Sequence, residues 1–143
     1  MDMIGQNPLM ASAIRLVMAQ RLVRRIRPEA AEEYEPKEHI KKAVNEALAK
    51  IPKDHRPDAA TFKYLRPKTG EGYELPYRGR SMILEQLVMT PAMEKLISGA
   101  GNDVTTQVIQ DSAIAEGMTT MMQDGLIKAN EGITTVEEIF RVT

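Results

Sequence analysis

The sequence predicts an α+β fold that is mostly helical, and three observations carry that prediction. A helical apolar stripe runs through "EHIKKAVNEALAKI", where Ile40, Ala43, Val44, Ala47, Leu48 and Ile51 recur at i, i+3, i+4, i+7, i+8 and i+11. The nearly continuous apolar content from Met82 to Met89 in "YRGRSMILEQLVMT" reads instead as a buried strand. The last third is a run of short helical stretches, each opened by a capping residue and stopped by Gly99, Gly117 or Gly132.

Taken in order, "NPLMASAIRLVMAQ" places Leu9, Met10, Ala13, Ile14, Val17 and Met18 at helical spacing, with Asn7 as N-cap and Pro8 at the first helical position. The following "VMAQRLVRRIRP" fits either a continued helix or a short strand, and Pro28 ends it in both cases. Pro36 opens the 38–51 helix and Pro52 closes it. From Lys53 to Pro76 the chain is turn-rich, punctuated by Pro57, Pro67, Gly70, Gly72 and Pro76, and "AATFKYLRP" supplies one short strand. Glu85 interrupts the buried strand, so its carboxylate needs an edge position or a partner. "TPAMEKLIS" is a helix with Thr90 as N-cap and Pro91 at N1. Asn102 or Asp103 starts the next, "VTTQVIQDSAIAE". "MTTMMQDGLIKANE" puts Met118, Met121, Met122, Leu126 and Ala129 on one face, and "TTVEEIF" carries a capping-box pattern from Thr134 to Glu137.

Composition narrows the function. At 143 residues, 43% apolar and 27% charged, the chain suits one ordinary domain with a real core. Its formal net charge of -1 gives no global attraction to nucleic acid or acidic lipid. It has no cysteine, which excludes disulfides and thiolate metal sites. No apolar run approaches the roughly 20 residues that span a bilayer, and "MDMIGQNPLM" lacks the pattern of a signal peptide. A soluble, cytoplasmic chain is expected. Aromatics are 4% with no Trp, while Met reaches ten, so Met is expected to fill the core. Arg15, Arg21, Arg24, Arg25 and Arg27 form a basic run without interleaved aromatics. Five Glu between Glu29 and Glu38 offset it, so no nucleic-acid partner is expected. His39 and His55 have no second ligand at metal spacing and read as surface residues. There is no G-x-x-x-x-G-K-[ST] loop, no G-x-S-x-G elbow and no H-E-x-x-H, and Ser12, Ser81, Ser98 and Ser112 have no suggestively placed His. The residues alone describe a helical binding or structural module without catalysis.

One longer block adds more. "EGMTTMMQDGLIKANEGITTVEEIFRVT" resembles the C-terminal end of the secretion and pilus-assembly ATPases, the cytoplasmic motors of type II secretion and type IV pilus extension. Glu116, Gly117, Met118, Thr120, Asp124, Gly125, Lys128, Gly132, Ile133, Thr134, Thr135, Glu137, Glu138, Arg141, Val142 and Thr143 match that family's closing pattern. "NPLMASAIRLVMAQRLVRRI" and "YRGRSMILEQLVMTPAMEKLI" resemble two further blocks of the family, leaving only about 27–75 uncovered. The resemblance marks Gln20, Arg21, Arg24, Arg78, Gly79, Arg80, Glu85, Asp124, Gly125, Gly132 and Thr134 as interaction or structural positions. It marks no catalytic and no cofactor-binding residue.

The resemblance also implies an architecture. Residues near 18–25 and 80–88 become adjacent antiparallel strands at the edge of a RecA-like sheet. Residues 1–26 and 77–90 end the ATPase core, 27–76 is an insertion, and 91–143 is a C-terminal helical subdomain. In many relatives the insertion carries two C-P-x-C pairs that bind zinc. Here they align with Arg27-Pro28-Glu29-Ala30 and Arg66-Pro67-Lys68-Thr69, so Arg27, Ala30, Arg66 and Thr69 stand at the ligand positions and no metal is expected. The 38–51 helix is expected to hold the insertion together instead. The family's nucleotide-binding motifs align upstream of Met1, so ATP and Mg belong to the parent family and no cofactor is expected in this chain. The function implied is the non-catalytic C-terminal portion of a hexameric motor, packing on the nucleotide-binding core and coupling hydrolysis to pilus assembly or secretion. The alternative is a stand-alone helical adaptor docking on motor or platform proteins through the Met-rich helices at 104–131. Expected partners are the RecA-like core, neighbouring motor subunits and an inner-membrane platform protein, with no direct membrane insertion. Strands opened to solvent imply self-association. The implied location is cytoplasmic, peripheral to the inner membrane through the parent complex. Arg21, Arg24 and Arg25 read as a solvated face whose Glu pairs are worth roughly 0–1 kcal/mol each.

Overall fold

A computed structural model describes residues 12–51, 56–98 and 104–143. In chain order it contains β1 (Leu16–Ile26), a 3-10 turn (Pro28–Ala30), β2 (Ala31–Glu33), α1 (Glu38–Ala49), β3 (Leu65–Pro67) and β4 (Tyr77–Val88). Four helices follow: α2 (Pro91–Ser98), α3 (Thr106–Ala115), α4 (Met121–Asn130) and α5 (Val136–Val142). An α+β class is observed. The described residues fall into two compact units, one within 12–18 and 86–118 and the other within 19–85 and 119–143.

The ambiguous segment resolves as a strand. Residues 12 and 13 are helical, but Leu16 to Ile26 are extended, so Val17 and Met18 leave the helical stripe expected of them. Asn7 and Pro8, the expected cap and first turn, lie outside the described residues. β1 pairs with β4. The Met89 N–H donates to the Arg15 carbonyl at 3.0 Å and the Arg27 N–H to the Pro76 carbonyl at 2.9 Å. Early residues of one strand thus meet late residues of the other, which makes the pair antiparallel.

β4 is not the buried strand its composition predicts. Only Ile83 is buried, while Met82 and Val88 are 48% and 58% exposed. A two-stranded ribbon covered on one side buries alternate residues only, so an apolar run cannot all be interior. β1 behaves the same way, with Val23 fully buried between exposed Leu22 and Arg24.

In the larger unit the core is built by α1, α4 and α5 against the ribbon. Val23 and Ile83 meet Val44, Leu48, Ile51, Phe62, Leu126, Ala129, Val136 and Ile139. The α1 stripe is borne out at Val44 and Leu48, with Ile40 and Ala47 partly covered, but Ala43 is exposed and the helix ends at Ala49, so Ile51 joins the core from the bend beyond it. Gln123 fastens α1 to α4 by donating its Nε2 to the Ala47 carbonyl at 3.2 Å. Met121 and Met122 pack on this core, whereas Met18 and Met82 are exposed, so only part of the Met content fills it. A second, short antiparallel pair aligns Ala31 with Pro67, Glu32 with Arg66 and Glu33 with Leu65. β3 was expected in "AATFKYLRP", but nothing in the local pattern announces β2.

The smaller unit packs α2 on α3 around Met93 and Ala113. Thr90 caps α2 as expected, accepting from the Met93 N–H at 3.1 Å. α3 is capped by Thr105, whose side chain accepts from the Val108 N–H, and not by Asn102 or Asp103, which lie outside the described residues. α4 opens with a full capping box between Thr120 and Gln123. α5 is capped by Thr135, one residue later than the Thr134-to-Glu137 box, because Thr134 is drawn to β1. Gly132 ends α4 with φ +79, a left-handed conformation that admits the turn into α5.

Candidate functional site

Two polar clusters join the ribbon to the last two helices, and both lie within the larger unit. The first is centred on Glu138. Its side chain is 3% exposed, yet it is fully engaged. It accepts from the Arg24 backbone N–H at 3.2 Å, from the Arg24 guanidinium, and from Arg141 Nε and Nη2 at 3.0 and 2.8 Å. Burial pushes the carboxyl pKa up, but the two guanidiniums and the backbone N–H outweigh it and hold it at about 2. The Arg24 guanidinium also lies 4.4 Å from the Tyr77 ring centroid, a cation–π contact. The Tyr77 hydroxyl and Thr135 Oγ1 are 3.2 Å apart. Thr134 Oγ1 donates to the Arg24 carbonyl at 2.9 Å, and the Ile26 N–H donates to the Ile133 carbonyl at 3.0 Å. The start of α5 is therefore pinned along β1 by side chain and backbone together.

The second cluster fixes α4 on β4. Glu85 Oε2 accepts from the Met121 N–H at 3.0 Å, placing a carboxylate at the positive end of α4. That is the partner an in-strand Glu requires. Asp124 returns the contact, accepting from the Leu84 N–H at 2.8 Å and from Lys128 Nζ at 2.6 Å, while Lys128 also donates to the Met82 carbonyl at 2.9 Å. One turn along, Gly125 lets α5 approach: a Cβ there would lie 2.7 Å from Ile139 Cδ1 and 2.9 Å from its Cγ2.

These clusters gather Arg24, Glu85, Asp124, Gly125 and Thr134 from the expected set, with Gly132 shaping the turn between them. Gln20, Arg21 and Arg78 are exposed, and Gly79 takes φ +75 within β4. Arg80 lines an open depression of about 470 Å³ with Leu22, Arg24 and Arg141. Arg24 is thus not simply part of a solvated face, since its partner is a buried carboxylate 114 residues away. Glu138 and Tyr77 are the members that residue-by-residue reading passed over. The one local signal was a Glu three residues before an Arg at the chain's end, the i, i+3 spacing of a helical ion pair.

The two four-residue stretches at 27–30 and 66–69 are brought side by side. The Lys68 N–H donates to the Ala30 carbonyl at 2.8 Å and Lys68 Nζ to the Glu29 carbonyl at 2.9 Å. Arg66 Nε pairs with Glu32 at 2.7 Å, and Arg27 Nε with Glu29 at 2.8 Å. Arg27, Ala30, Arg66 and Thr69 offer neither thiolate nor imidazole, so these residues do not fit zinc. Among the described residues no group of three or more His, Asp or Glu is placed to hold a metal ion. His39 is exposed, and His55 lies outside the described residues. No described helix is long and apolar enough to cross a membrane.

Comparison with known proteins covers the whole chain. The family described as Type II/IV secretion system protein matches residues 1–141. The Type II secretion system protein E of Xanthomonas campestris pv. campestris is 35% identical over 100% of this chain and 24% of its own length. The Type IV pilus assembly ATPase PilB of Pseudomonas aeruginosa is 33% identical over 94% of this chain and 22% of its own. The Type II secretion system ATPase E of Vibrio cholerae is 31% identical over 98% of this chain and 25% of its own. The chain thus spans about a quarter of the length of the curated relatives it matches.

Proposed function

The chain belongs to the type II/IV secretion system protein family, and from that premise we propose that it is the C-terminal, non-catalytic portion of a motor ATPase. The observation that carries this reading is the match along nearly the whole chain to about a quarter of proteins named as secretion or pilus-assembly ATPases. The sequence has no phosphate-cradling loop, so in this reading hydrolysis is performed by other residues of the parent motor. Residues 1–26 and 77–90 end its RecA-like core, 27–76 form the insertion, and 91–143 form the helical end. The β1–β4 ribbon then continues the nucleotide-binding sheet, and its exposed Met82 packs on that sheet's neighbours. ATP and Mg are bound by the parent core, and the motor works as a hexamer in the cytoplasm, beside an inner-membrane platform protein.

Two connections give the coupling role a physical basis. Glu138 and Thr134 lock α5 to β1, and Glu85 and Asp124 lock α4 to β4. A displacement of either strand then moves a helix as a rigid neighbour. The adaptor alternative is less favoured, because Met121 and Met122 are partly buried against the core.

The test is ATP turnover by this chain alone and after mixing with a separately expressed P-loop segment from the same genome. Turnover only in the mixture is expected. Absence of both turnover and association in the mixture refutes the reading.

A further inference from the structure

We propose that the depression lined by Leu22, Arg24, Arg80 and Arg141 is a docking site for an acidic segment of a partner protein, an inference that does not rest on the motor reading. Three arginines line one opening of about 470 Å³, and two of them, Arg24 and Arg141, share the single carboxylate of Glu138, so the lining carries a surplus of two positive charges over that carboxylate.

The arginines are not equivalent, and the difference is what makes the site. Arg24 and Arg141 are held in place by the buried Glu138, and Arg24 is further fixed over the Tyr77 ring at 4.4 Å. Their side chains nonetheless remain 52% and 55% exposed, so the N–H donors that Glu138 leaves unused face outward in a fixed arrangement. The Arg80 side chain has no hydrogen bond or ion pair among the described residues, which leaves its guanidinium available to a ligand. Two pre-oriented forks and one unpaired one suit paired carboxylates, which arginine binds bidentately.

The surroundings favour a polypeptide over a nucleotide or free phosphate. The depression is open, not an enclosing cleft of the kind that holds small ligands. Among the described residues its lining holds no glycine and no aromatic side chain, and Arg24 lies over the Tyr77 ring, so the lining offers no surface for base stacking. Leu22 is 51% exposed at its edge and offers an apolar contact beside the charges. Arginine with a flanking apolar residue is the composition of protein interfaces.

The probe is a fluorescein-labelled peptide of alternating Glu and Leu, added to the full chain at about 50 mM salt, where exposed charges are weakly screened. Anisotropy is expected to show saturable binding that Arg80→Ala weakens by about tenfold, the loss expected of one charge-assisted contact. Arg80 has no partner to lose, so this variant keeps its fold, as a matching thermal melt verifies. Arg25→Ala removes an exposed arginine outside the depression and is expected to bind like the parent chain. Equal weakening by Arg25→Ala overturns the proposal in favour of diffuse attraction. Equal binding by Arg80→Ala, or no binding by the parent chain, overturns it outright. Displacement of the peptide by inorganic phosphate or ATP at lower concentration than by unlabelled peptide replaces it with an oxyanion site.

Discussion

Replacing Glu138 by Gln tests whether the buried carboxylate organises the end of the fold. The substitution keeps size and one acceptor oxygen but removes the charge that Arg24 and Arg141 share. The folded-state carboxyl sits at about 2 against an ordinary 4.5, and at about 1.4 kcal/mol per pKa unit that difference sets a ceiling of about 3.5 kcal/mol. Both guanidiniums are half exposed and screened by water, so the expected loss at pH 7 is about 1.5–2 kcal/mol. For a chain of this length that lowers the melting temperature by about 4–6 °C. The folded pKa lies below the unfolded one, so the stabilisation is present above about pH 4.5 and is lost as pH falls toward 2. At pH 3 more than half of the charge-dependent difference between parent and variant is expected to be gone. Urea midpoints of both proteins at pH 7 and pH 3 measure this directly, since all other carboxylates titrate in both. A gap below about 0.5 kcal/mol at pH 7, the range of an ordinary surface change, would falsify the assignment. So would a gap that does not narrow with acid.

The remaining predictions concern the junction of α4 with its neighbours. Gly125→Ala gains about 1 kcal/mol of helix propensity but forces a methyl against Ile139, an overpacking cost of about 1–3 kcal/mol. A net loss of about 1 kcal/mol by chemical denaturation is therefore expected. Adding Ile139→Val removes the Cδ1 atom that the new methyl meets at 2.7 Å. The double variant is expected to be closer to additive repair than to additive damage, and full additivity of two losses contradicts the contact. Thr120→Ala breaks the capping box with Gln123 and is expected to cost about 1 kcal/mol. It should also speed amide exchange in the first turn of α4 more than in α5, as read by hydrogen-exchange mass spectrometry.

The local sequence determined the elements whose cause is local. The α1 stripe at Val44 and Leu48, the Thr90 cap, the stops at Gly117 and Gly132 and the break at Pro28 follow from side-chain periodicity and backbone sterics within a few residues, and they are found where those rules put them. The expected breaks at Pro52 and Gly99 lie outside the described residues. The resemblance of three ordered blocks placed the chain in its family and brought residues near 18–25 and 80–88 together as a strand pair, which no local pattern could do. Tertiary structure decided the rest. Whether "VMAQRLVRRI" became helix or strand depended on β4 supplying hydrogen-bond partners. β2 exists only because β3 lies beside it. The α5 cap moved from Thr134 to Thr135 because the Arg24 carbonyl claimed the first hydroxyl. Glu138 is an ordinary surface residue in one dimension. It is a buried, doubly paired carboxylate only because β1 passes 114 residues away in sequence and within hydrogen-bond distance in space. Burial and charge pairing are properties of neighbours, and for this chain the neighbours that make the site come from opposite ends of the sequence.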